Sequence, residues 1–210
     1  NGARKTTDPG KIVASFCIGS EKLFQFIHNN PRFAFHPTDS VTDPEVIRRQ
    51  PKMTAINTAL EVDLTGQVSS ESLGDDFLAG VGGEAEFNRG AAHSPGGKSI
   101  IVLASTTRDG KESRIVAQLS PGSGVAMTRS EIHYVVTEQG VAYLHGKSIQ
   151  ERVMALIAIA HPDFRPKLLK RALKKGLVHP HLADVEGKIL VGSQELKTQA
   201  TLRDGEQILF

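Results

Sequence analysis

A chain of 210 residues can hold one domain with an appendage and is long enough to bury a real core. Its 25 basic and 23 acidic side chains give a formal net charge of +2, which excludes the overall field that would hold nucleic acid or an anionic membrane surface. A single cysteine, Cys17, excludes an internal disulfide, and no apolar run reaches the ~18 residues that span a bilayer, so we expect a cytoplasmic protein.

The first third of the chain alternates apolar runs with helix signals, a pattern typical of α/β proteins. Its predicted elements are a strand at Lys11–Gly19 with Cys17 as a buried thiol, a helix capped by Ser20 with apolar residues up to Ile27, a short strand at Phe33–Phe35, a helix start at Asp43-Pro44-Glu45, and one buried strand at Met53–Leu64. Two carboxylates, Glu61 and Asp63, lie at the exit of the last strand.

The segment from Gly66 to Gly97 is dominated by Gly, Ser, Asn and acidic residues, and we predict that it is irregular and functional. Residues 80–85 (GVGGEA) have the spacing of a dinucleotide-binding fingerprint. However, Leu73–Ala79 is no predicted strand and no acidic residue lies about 20 positions further on, so a dinucleotide site is disfavoured. The glycines either let backbone N–H groups approach a ligand closely or form a set of tight turns.

The second half of the chain contains three more predicted strands and two helices. The strands are Lys98–Ser105, Ser113–Leu119 and Ile132–Thr137, with turns at Arg108–Lys111 and Glu138–Gly140, and the helices are Ser148–Ala160 and Asp163–Lys175, the second ending at Gly176. We therefore predict an α/β fold with an open, mostly parallel sheet covered by helices and an antiparallel portion in the middle. Residues 1–176 form the predicted domain, and residues 177–210 a linker.

Side chains that could carry chemistry are few when spacing alone is considered. The eight histidines are scattered, and His179 and His181 have no cysteine or carboxylate partner at ligand spacing, so no metal site is predicted. Glu61 and Asp63 share one face of a strand and either act as acid and base or accept hydrogen bonds from N–H groups of the glycine segment, which is the favoured role. Basic residues on the helix at Asp163–Lys175 indicate a solvated face.

Several short motifs follow one another along the chain. They are residues 61–68 (EVDLTGQV), 70–72 (SES), 80–83 (GVGG), 87–91 (FNRGA), 96–99 (GGKS), 113–116 (SRIV), 134–142 (YVVTEQGVA) and 159–165 (IAHPDFR). Each is weak alone, but the ordered set is specific, and from about Pro9 to Lys175 it resembles the acetyl-CoA hydrolase/transferase family. That family includes 4-hydroxybutyrate and succinyl:acetate CoA-transferases.

The resemblance implies a CoA-transferase-like α/β fold and a reaction through a glutamyl-CoA thioester. It implies acyl-CoA and a small carboxylic acid as substrates, and no tightly bound cofactor. Gly83 corresponds to the residue whose backbone N–H meets the developing oxyanion, and with Gly82 it touches CoA. Leu60 and Ala79 correspond to residues of the CoA channel, the second being asparagine in some relatives. Arg108 corresponds to a lysine that meets a CoA phosphate, although the two cations bind phosphate with different geometry.

The nucleophilic glutamate of the resembling enzymes lies in a His-Thr-Glu-like motif shortly before the point where this chain starts. No such motif occurs in the 210 residues, and Glu61 and Glu138 belong to other motifs, so the resemblance implies an upstream domain that supplies the nucleophile. The chain opens at Asn1 without methionine or a signal stretch, which we interpret as processing or truncation. Residues 201–210 (TLRDGEQILF) resemble the lead-in to a GNAT-type acetyltransferase domain.

Three functions are compatible with these observations. The leading hypothesis is the C-terminal half of a CoA-transferase, inactive without its upstream domain. The alternative within the same chemistry is acyl-CoA hydrolysis, in which water resolves the thioester. The alternative of another class is a non-catalytic acyl-CoA-binding module that regulates a fused acetyltransferase. A homodimer is compatible with each of them, and neither nucleic acid nor a membrane is an expected partner.

Overall fold

The computed structural model describes residues 5–180, so the predicted linker at 177–210 lies outside the described residues from position 181 onward. The described residues form an α/β fold, as predicted. The helices are α1 (Glu21–Ile27), α2 (Thr38–Val41), α3 (Pro44–Arg48), α4 (Glu84–His93), α5 (Ile149–Ile159) and α6 (Arg165–Lys174), with a 3₁₀ turn at Pro162–Phe164. Between residues 5 and 180, none of them has the length and apolar character that crossing a bilayer requires.

The strands are short and form small sheets of mixed direction. They are β1 (Ile12–Ala14), β2 (Phe33–Phe35), β3 (Thr54–Thr58), β4 (Glu61–Asp63), β5 (Val68–Ser69), β6 (Ser72–Leu73), β7 (Asp76–Phe77), β8 (Lys98–Val102), β9 (Ile115–Val116), β10 (Tyr134–Thr137) and β11 (Gly140–Tyr143). The sheet orders are β1-β2, β11-β10-β8-β3, β5-β4-β9 and β6-β7. Parallel pairs join β1 to β2, β8 to β10 and β4 to β9, whereas β10–β11, β4–β5 and β6–β7 are antiparallel.

Packing divides the chain into two compact units. Among the described residues, the first unit comprises 5–55 and 83–99, and the second comprises 56–82 and 100–180. In the first unit, Asp43 caps α3 by accepting a hydrogen bond from the Glu45 N–H at 2.8 Å, as the Asp-Pro signal predicts. A Cβ at Gly90 of α4 would lie 2.5 Å from Ile47 Cγ2 of α3, so this close approach of the two helices requires glycine.

The second unit is built around β4 and α5. Each residue of β4 is buried, because the strand lies between β5 and β9. Helix α5 begins with a capping box in which Ser148 and Glu151 each accept a hydrogen bond from the other's backbone N–H. Thr137 Oγ1 at the end of β10 donates to the Ile159 carbonyl at 2.6 Å, which ties the sheet to the last turn of α5. The predicted helix at Ser148–Ala160 is therefore confirmed.

The basic helix α6 buries only its apolar side. Leu168, Leu169 and Ala172 are buried, whereas Lys167 and Lys170 are exposed. This distribution agrees with the interpretation of the basic residues as a solvated face.

All the predicted strands except Phe33–Phe35 are shortened or divided in the structure, and β9, for example, keeps only two residues of the strand predicted at Ser113–Leu119. The strand predicted at Lys11–Gly19 ends at Ala14, because its partner β2 offers only three residues for pairing. Cys17 therefore lies beyond the strand and is partly exposed, not fully buried. The single strand predicted at Met53–Leu64 consists of β3 and β4, because the Leu60 N–H donates to the Ser69 carbonyl and the chain enters another sheet.

The prediction of an irregular segment at Gly66–Gly97 was wrong in part. This segment contains β5, the small hairpin β6–β7 and the ten-residue helix α4. Leu73–Ala79, which we predicted to hold no strand, includes β7 and the turn of the hairpin, where Gly74 has a φ of +62°. The many glycines obscured the helix formers at the start of α4. The short strand at Phe33–Phe35 and the turn at Glu138–Gly140 are confirmed.

Candidate functional site

The glycine loop, Gly80–Gly83, leads from the β6–β7 hairpin into α4. Its start is fixed because the N–H groups of Leu78 and Ala79 both donate to the Glu71 carbonyl, at 2.8 and 3.1 Å. Beyond these bonds the loop is open, and Val81 is 88% exposed. The loop therefore presents backbone groups and one apolar side chain to solvent.

Gly83 is the N-cap of α4 and belongs to the first unit. Its φ of −94° and ψ of 12° lie in a region that does not exclude side chains, so the backbone angles alone do not require glycine. A Cβ at this position would lie 2.9 Å from Thr42 Cγ2, so clearance from a neighbour does favour glycine. Between residues 5 and 180, no hydrogen bond uses the Gly83 N–H, which leaves this donor open to a ligand.

Leu60 and Ala79 are held by one short segment of the second unit. The Leu60 N–H donates to the Ser69 carbonyl at 2.8 Å, and the Ala79 N–H donates to the carbonyl of Glu71, two residues further along. Leu60 is half-buried and Ala79 is exposed. Both residues are thus hydrogen-bonded to the same short segment, Ser69–Glu71. Gly82 follows Ala79 in the same unit and is exposed.

Arg108 lies in the predicted hairpin-like turn of the second unit, and its side chain is exposed. The turn is closed by a bridge between Thr106 and Ser113, and Thr107 Oγ1 donates to Asp109 Oδ1 at 2.7 Å. Arg108 makes no hydrogen bond or ion pair to any other residue of the described range. Its guanidinium is therefore available to an anion.

Glu61 and Asp63 are buried carboxylates that accept hydrogen bonds. Glu61 accepts from the N–H and the hydroxyl of Ser120, at 2.9 and 2.8 Å. Asp63 accepts from the N–H groups of Thr65 and Gln67, and from their side chains, at 2.7 to 3.1 Å. The prediction that these residues are structural acceptors is confirmed. However, of these donors only Gln67 lies in the segment Gly66–Gly97, whereas Thr65 and Ser120 lie outside it.

Glu138 accepts hydrogen bonds that no local sequence pattern indicates. Its carboxylate accepts from the Ser105 hydroxyl and, at 3.0 Å, from the Ser105 N–H. Burial tends to raise the pKa of this carboxyl, but the hydrogen bonds that it accepts, from Ser105 and from the Glu138 backbone and Gln139, together lower the pKa below its ordinary value of 4.5. Ser105 lies 33 positions earlier, at the end of a predicted strand, so only the folded chain reveals the pairing.

The lowered pKa of Glu138 predicts a pH-dependent contribution to stability. A carboxyl whose folded pKa is depressed stabilises the fold above its unfolded pKa and loses this effect as the pH falls through the folded pKa. Glu138→Gln should therefore reduce the free energy of unfolding at pH 7, and reduce it less as the pH falls below 4.5. Urea unfolding of both proteins at the two ends of this range measures the difference.

Ser105→Ala provides the control for this prediction, because it removes the donor hydroxyl and keeps the carboxyl. In that background the effect of Glu138→Gln should depend less on pH. Equal losses of stability at neutral and acidic pH in the unmodified background would contradict the assignment.

A cavity of about 620 Å³ lies within the first unit. Val13, Ile47 and Phe87 contribute apolar lining, and His36 and Lys52 contribute basic groups. No predicted site residue lines it. The cavity could not be predicted because its walls come from segments that are distant in sequence.

Comparison with known proteins finds a family model and relatives with named activities that match most of the described residues. Residues 19–172 match the family model described as the acetyl-CoA hydrolase/transferase C-terminal domain. The 4-hydroxybutyrate coenzyme A transferase of Clostridium kluyveri is 47% identical over 175 residues, which cover 83% of this chain and 41% of that protein. The succinyl-CoA:acetate/propanoyl-CoA:succinate CoA transferase of Fasciola hepatica is 47% identical over 180 residues, covering 85% of this chain and 37% of that protein.

A solved structure shows the same fold. The crystal structure of RipA from Yersinia pestis matches with a TM-score of 0.79 and 37% sequence identity, covering 84% of this chain and 40% of that one. The chain thus spans only about two fifths of the length of the relatives that it matches.

Proposed function

Because the chain belongs to the acetyl-CoA hydrolase/transferase family, we propose that it is the C-terminal part of an enzyme that moves CoA between an acyl-CoA and a carboxylic acid. The observation that carries this proposal is the Gly83 N–H, an open donor at the end of an exposed glycine loop. Relatives that are 47% identical carry the name CoA transferase, which supports transfer as the reaction.

The proposed reaction begins with a carboxylate nucleophile. A glutamate of the preceding polypeptide attacks the acyl-CoA carbonyl, and the tetrahedral intermediate then expels CoA as a thiolate, which leaves a mixed anhydride of the glutamate and the acyl group. The thiolate then attacks the glutamyl carbonyl of the anhydride, which forms a glutamyl-CoA thioester and expels the first acid as its carboxylate. The second acid repeats these steps in reverse order and leaves as the new acyl-CoA.

The contribution of this chain is to bind and stabilise. Each attack places negative charge on a carbonyl oxygen, and the Gly83 N–H is the proposed donor to that oxyanion, a contribution of about 3 kcal/mol. Gly82 lets the CoA chain pass close to the backbone. Leu60 and Ala79 contact CoA through apolar surface, and Arg108 faces a phosphate.

Two alternatives remain distinct proposals. In an acyl-CoA hydrolase, water instead of an acid would attack the thioester, and free CoA would accumulate without an acceptor acid. A non-catalytic acyl-CoA-binding module would bind CoA but form no thioester, even with the preceding polypeptide attached. The hydrogen bonding of Glu61 to Ser120 and of Glu138 to Ser105 favours a nucleophile outside these residues.

The proposed function predicts that the 210-residue chain alone transfers no CoA. The test mixes the purified chain with acetyl-CoA and a carboxylate acceptor, and then repeats the assay with a fusion protein. In this fusion the chain follows the N-terminal part of the Clostridium kluyveri transferase that it does not match. We expect exchange only with the fusion protein. Exchange by the chain alone, or a borohydride-reducible thioester on Glu61 or Glu138, would show that the nucleophile is misplaced.

Arg108→Ala should raise the KM for acyl-CoA in the fusion protein with little change in kcat, because an exposed charge pair contributes about 1 kcal/mol or less. Salt screens exposed pairs, so the rise should shrink as ionic strength increases. Lys111→Ala is the matched control, since Lys111 is an exposed cation of the same turn and pairs with Asp109 at 3.6 Å. An unchanged KM in Arg108→Ala at low salt, or an equal rise in both variants, would argue against the assignment.

A further inference from the structure

The segment from β1 through α1 to β2 is an incomplete βαβ layer. It supplies two parallel strands and a seven-residue helix to the first unit, and no residue of α1 is buried. The sheet has only these two strands, so each has a free edge within the described residues. Parallel sheets are normally covered on both faces, and a two-stranded sheet is marginally stable by itself.

One face of this layer is a row of apolar side chains. Phe26 of α1 packs edge-to-face against Phe33 of β2 with ring centroids 5.7 Å apart, and Phe33 stacks on Phe35 at 6.4 Å. Ile12 is paired with Phe33 across the parallel ladder, so it lies beside that ring on the same face. We call these four residues the aromatic face.

The aromatic face is open although it has the composition of a core. Phe26 is 53% exposed, Phe35 is 46% exposed and Ile12 is 43% exposed. Removing apolar side chains from water is favourable, so a partner that covers this face would be stabilised by its burial. Neighbouring apolar residues exposed together mark an interaction surface.

The relatives indicate what covers this face. They are more than twice as long as the matched region, and the family model that this chain matches describes a C-terminal domain. We infer that the aromatic face and the adjoining edge of the β1–β2 sheet bind the N-terminal part of a CoA-transferase of this family, the part that this chain does not match. This inference rests on family membership and on the surface, not on the proposed chemistry.

Thiol labelling can test the inference with a matched control on the same helix. Cys17, the natural cysteine, is first replaced by serine, and Phe26→Cys and Phe24→Cys are then made separately. Phe24 is 46% exposed and lies two positions from Phe26, so the two side chains point to different sides of α1. Both variants are labelled with a maleimide, in the 210-residue chain and in the fusion protein.

We expect fusion to slow the labelling of Phe26→Cys on the order of 10-fold or more and to leave Phe24→Cys unchanged, because a buried thiol reacts only when the interface opens. Equal rates at position 26 in the two proteins would overturn the inference, as would equal slowing at both positions. Slowing in the 210-residue chain as its concentration rises would also overturn it, because a second copy would then be the occupant.

Hydrogen exchange of the unmodified sequences decides the matter if a cysteine variant does not fold. Backbone amides of β1 and β2 should exchange more slowly in the fusion protein than in the 210-residue chain, and unchanged rates would overturn the inference. Neither measurement requires activity. An inactive fusion protein with a covered aromatic face would therefore refute the proposed chemistry and retain the docking surface.

Discussion

Gly83→Val is expected to lower kcat of the fusion protein on the order of 10²-fold or more, the scale of losing one oxyanion donor. The physical reason is clearance, since a side chain at this position would crowd the approach of the thioester to the Gly83 N–H. Single-turnover transfer from acetyl-CoA measures the effect. A folded variant with near-normal turnover would remove Gly83 from the mechanism.

A second substitution separates clearance for a ligand from clearance within the protein. A Cβ at Gly83 would meet the methyl group of Thr42 at 2.9 Å, and Thr42→Ser removes that methyl while it keeps the hydroxyl that donates to Thr38. If internal packing alone requires glycine, Gly83→Ala should regain turnover in the Thr42→Ser background. Turnover that stays low in the double variant would assign the requirement to the bound substrate.

Gly66→Ala should reduce the free energy of unfolding by about 2 to 4 kcal/mol, the largest stability effect that we predict. Gly66 has a φ of +93°, which L side chains adopt at a cost. An added Cβ would also lie 2.8 Å from Nη1 of Arg152 and 3.2 Å from Cδ1 of Leu144. Arg152 can move little, because it is buried and Nη1 donates to the Thr65 carbonyl at 3.1 Å.

Gly146→Ala is the matched control for this prediction. Gly146 has a φ of +70°, and an added Cβ there would have nothing within 4 Å, so only the conformational cost remains. Urea unfolding should show a larger loss for Gly66→Ala than for Gly146→Ala. A loss of the same size in both variants would show that the contact with Arg152 is unimportant.

Helix α5 could be predicted from the sequence because everything that defines it is local. Its apolar residues recur at helical spacing, and Ser148 and Glu151 form the cap within one turn. Helix α4 could not be predicted, because its Gly90 weakens the local helix signal. That glycine is present because Ile47 of another helix leaves no room for a side chain. The presence of glycine in α4 therefore depends on a residue that is distant in sequence.

In the candidate site, too, local features could be predicted from the sequence and contacts between distant residues could not. Gly83 could be singled out from the order of the motifs, but its crowding by Thr42 depends on how α2 and α4 fold within the first unit. Likewise, the carboxylates of β4 could be assigned as acceptors from their spacing, whereas the choice of Ser120 as the partner of Glu61 could not. When a hydrogen-bond donor is distant in sequence, no pattern near the acceptor residue indicates which donor it will be.

The placement of β4 has a consequence for the order of events during synthesis. Glu61 accepts from Ser120, 59 positions later, and the Thr65 carbonyl that follows β4 accepts from Arg152, 87 positions later. A nascent chain therefore cannot complete the surroundings of β4 until residue 152 has left the ribosome. Until then the polar groups of β4 and of the residues after it lack these hydrogen-bond partners. Contacts of such long range in sequence are also slow to form. Folding of the second unit should thus wait until residue 152 is free to pack.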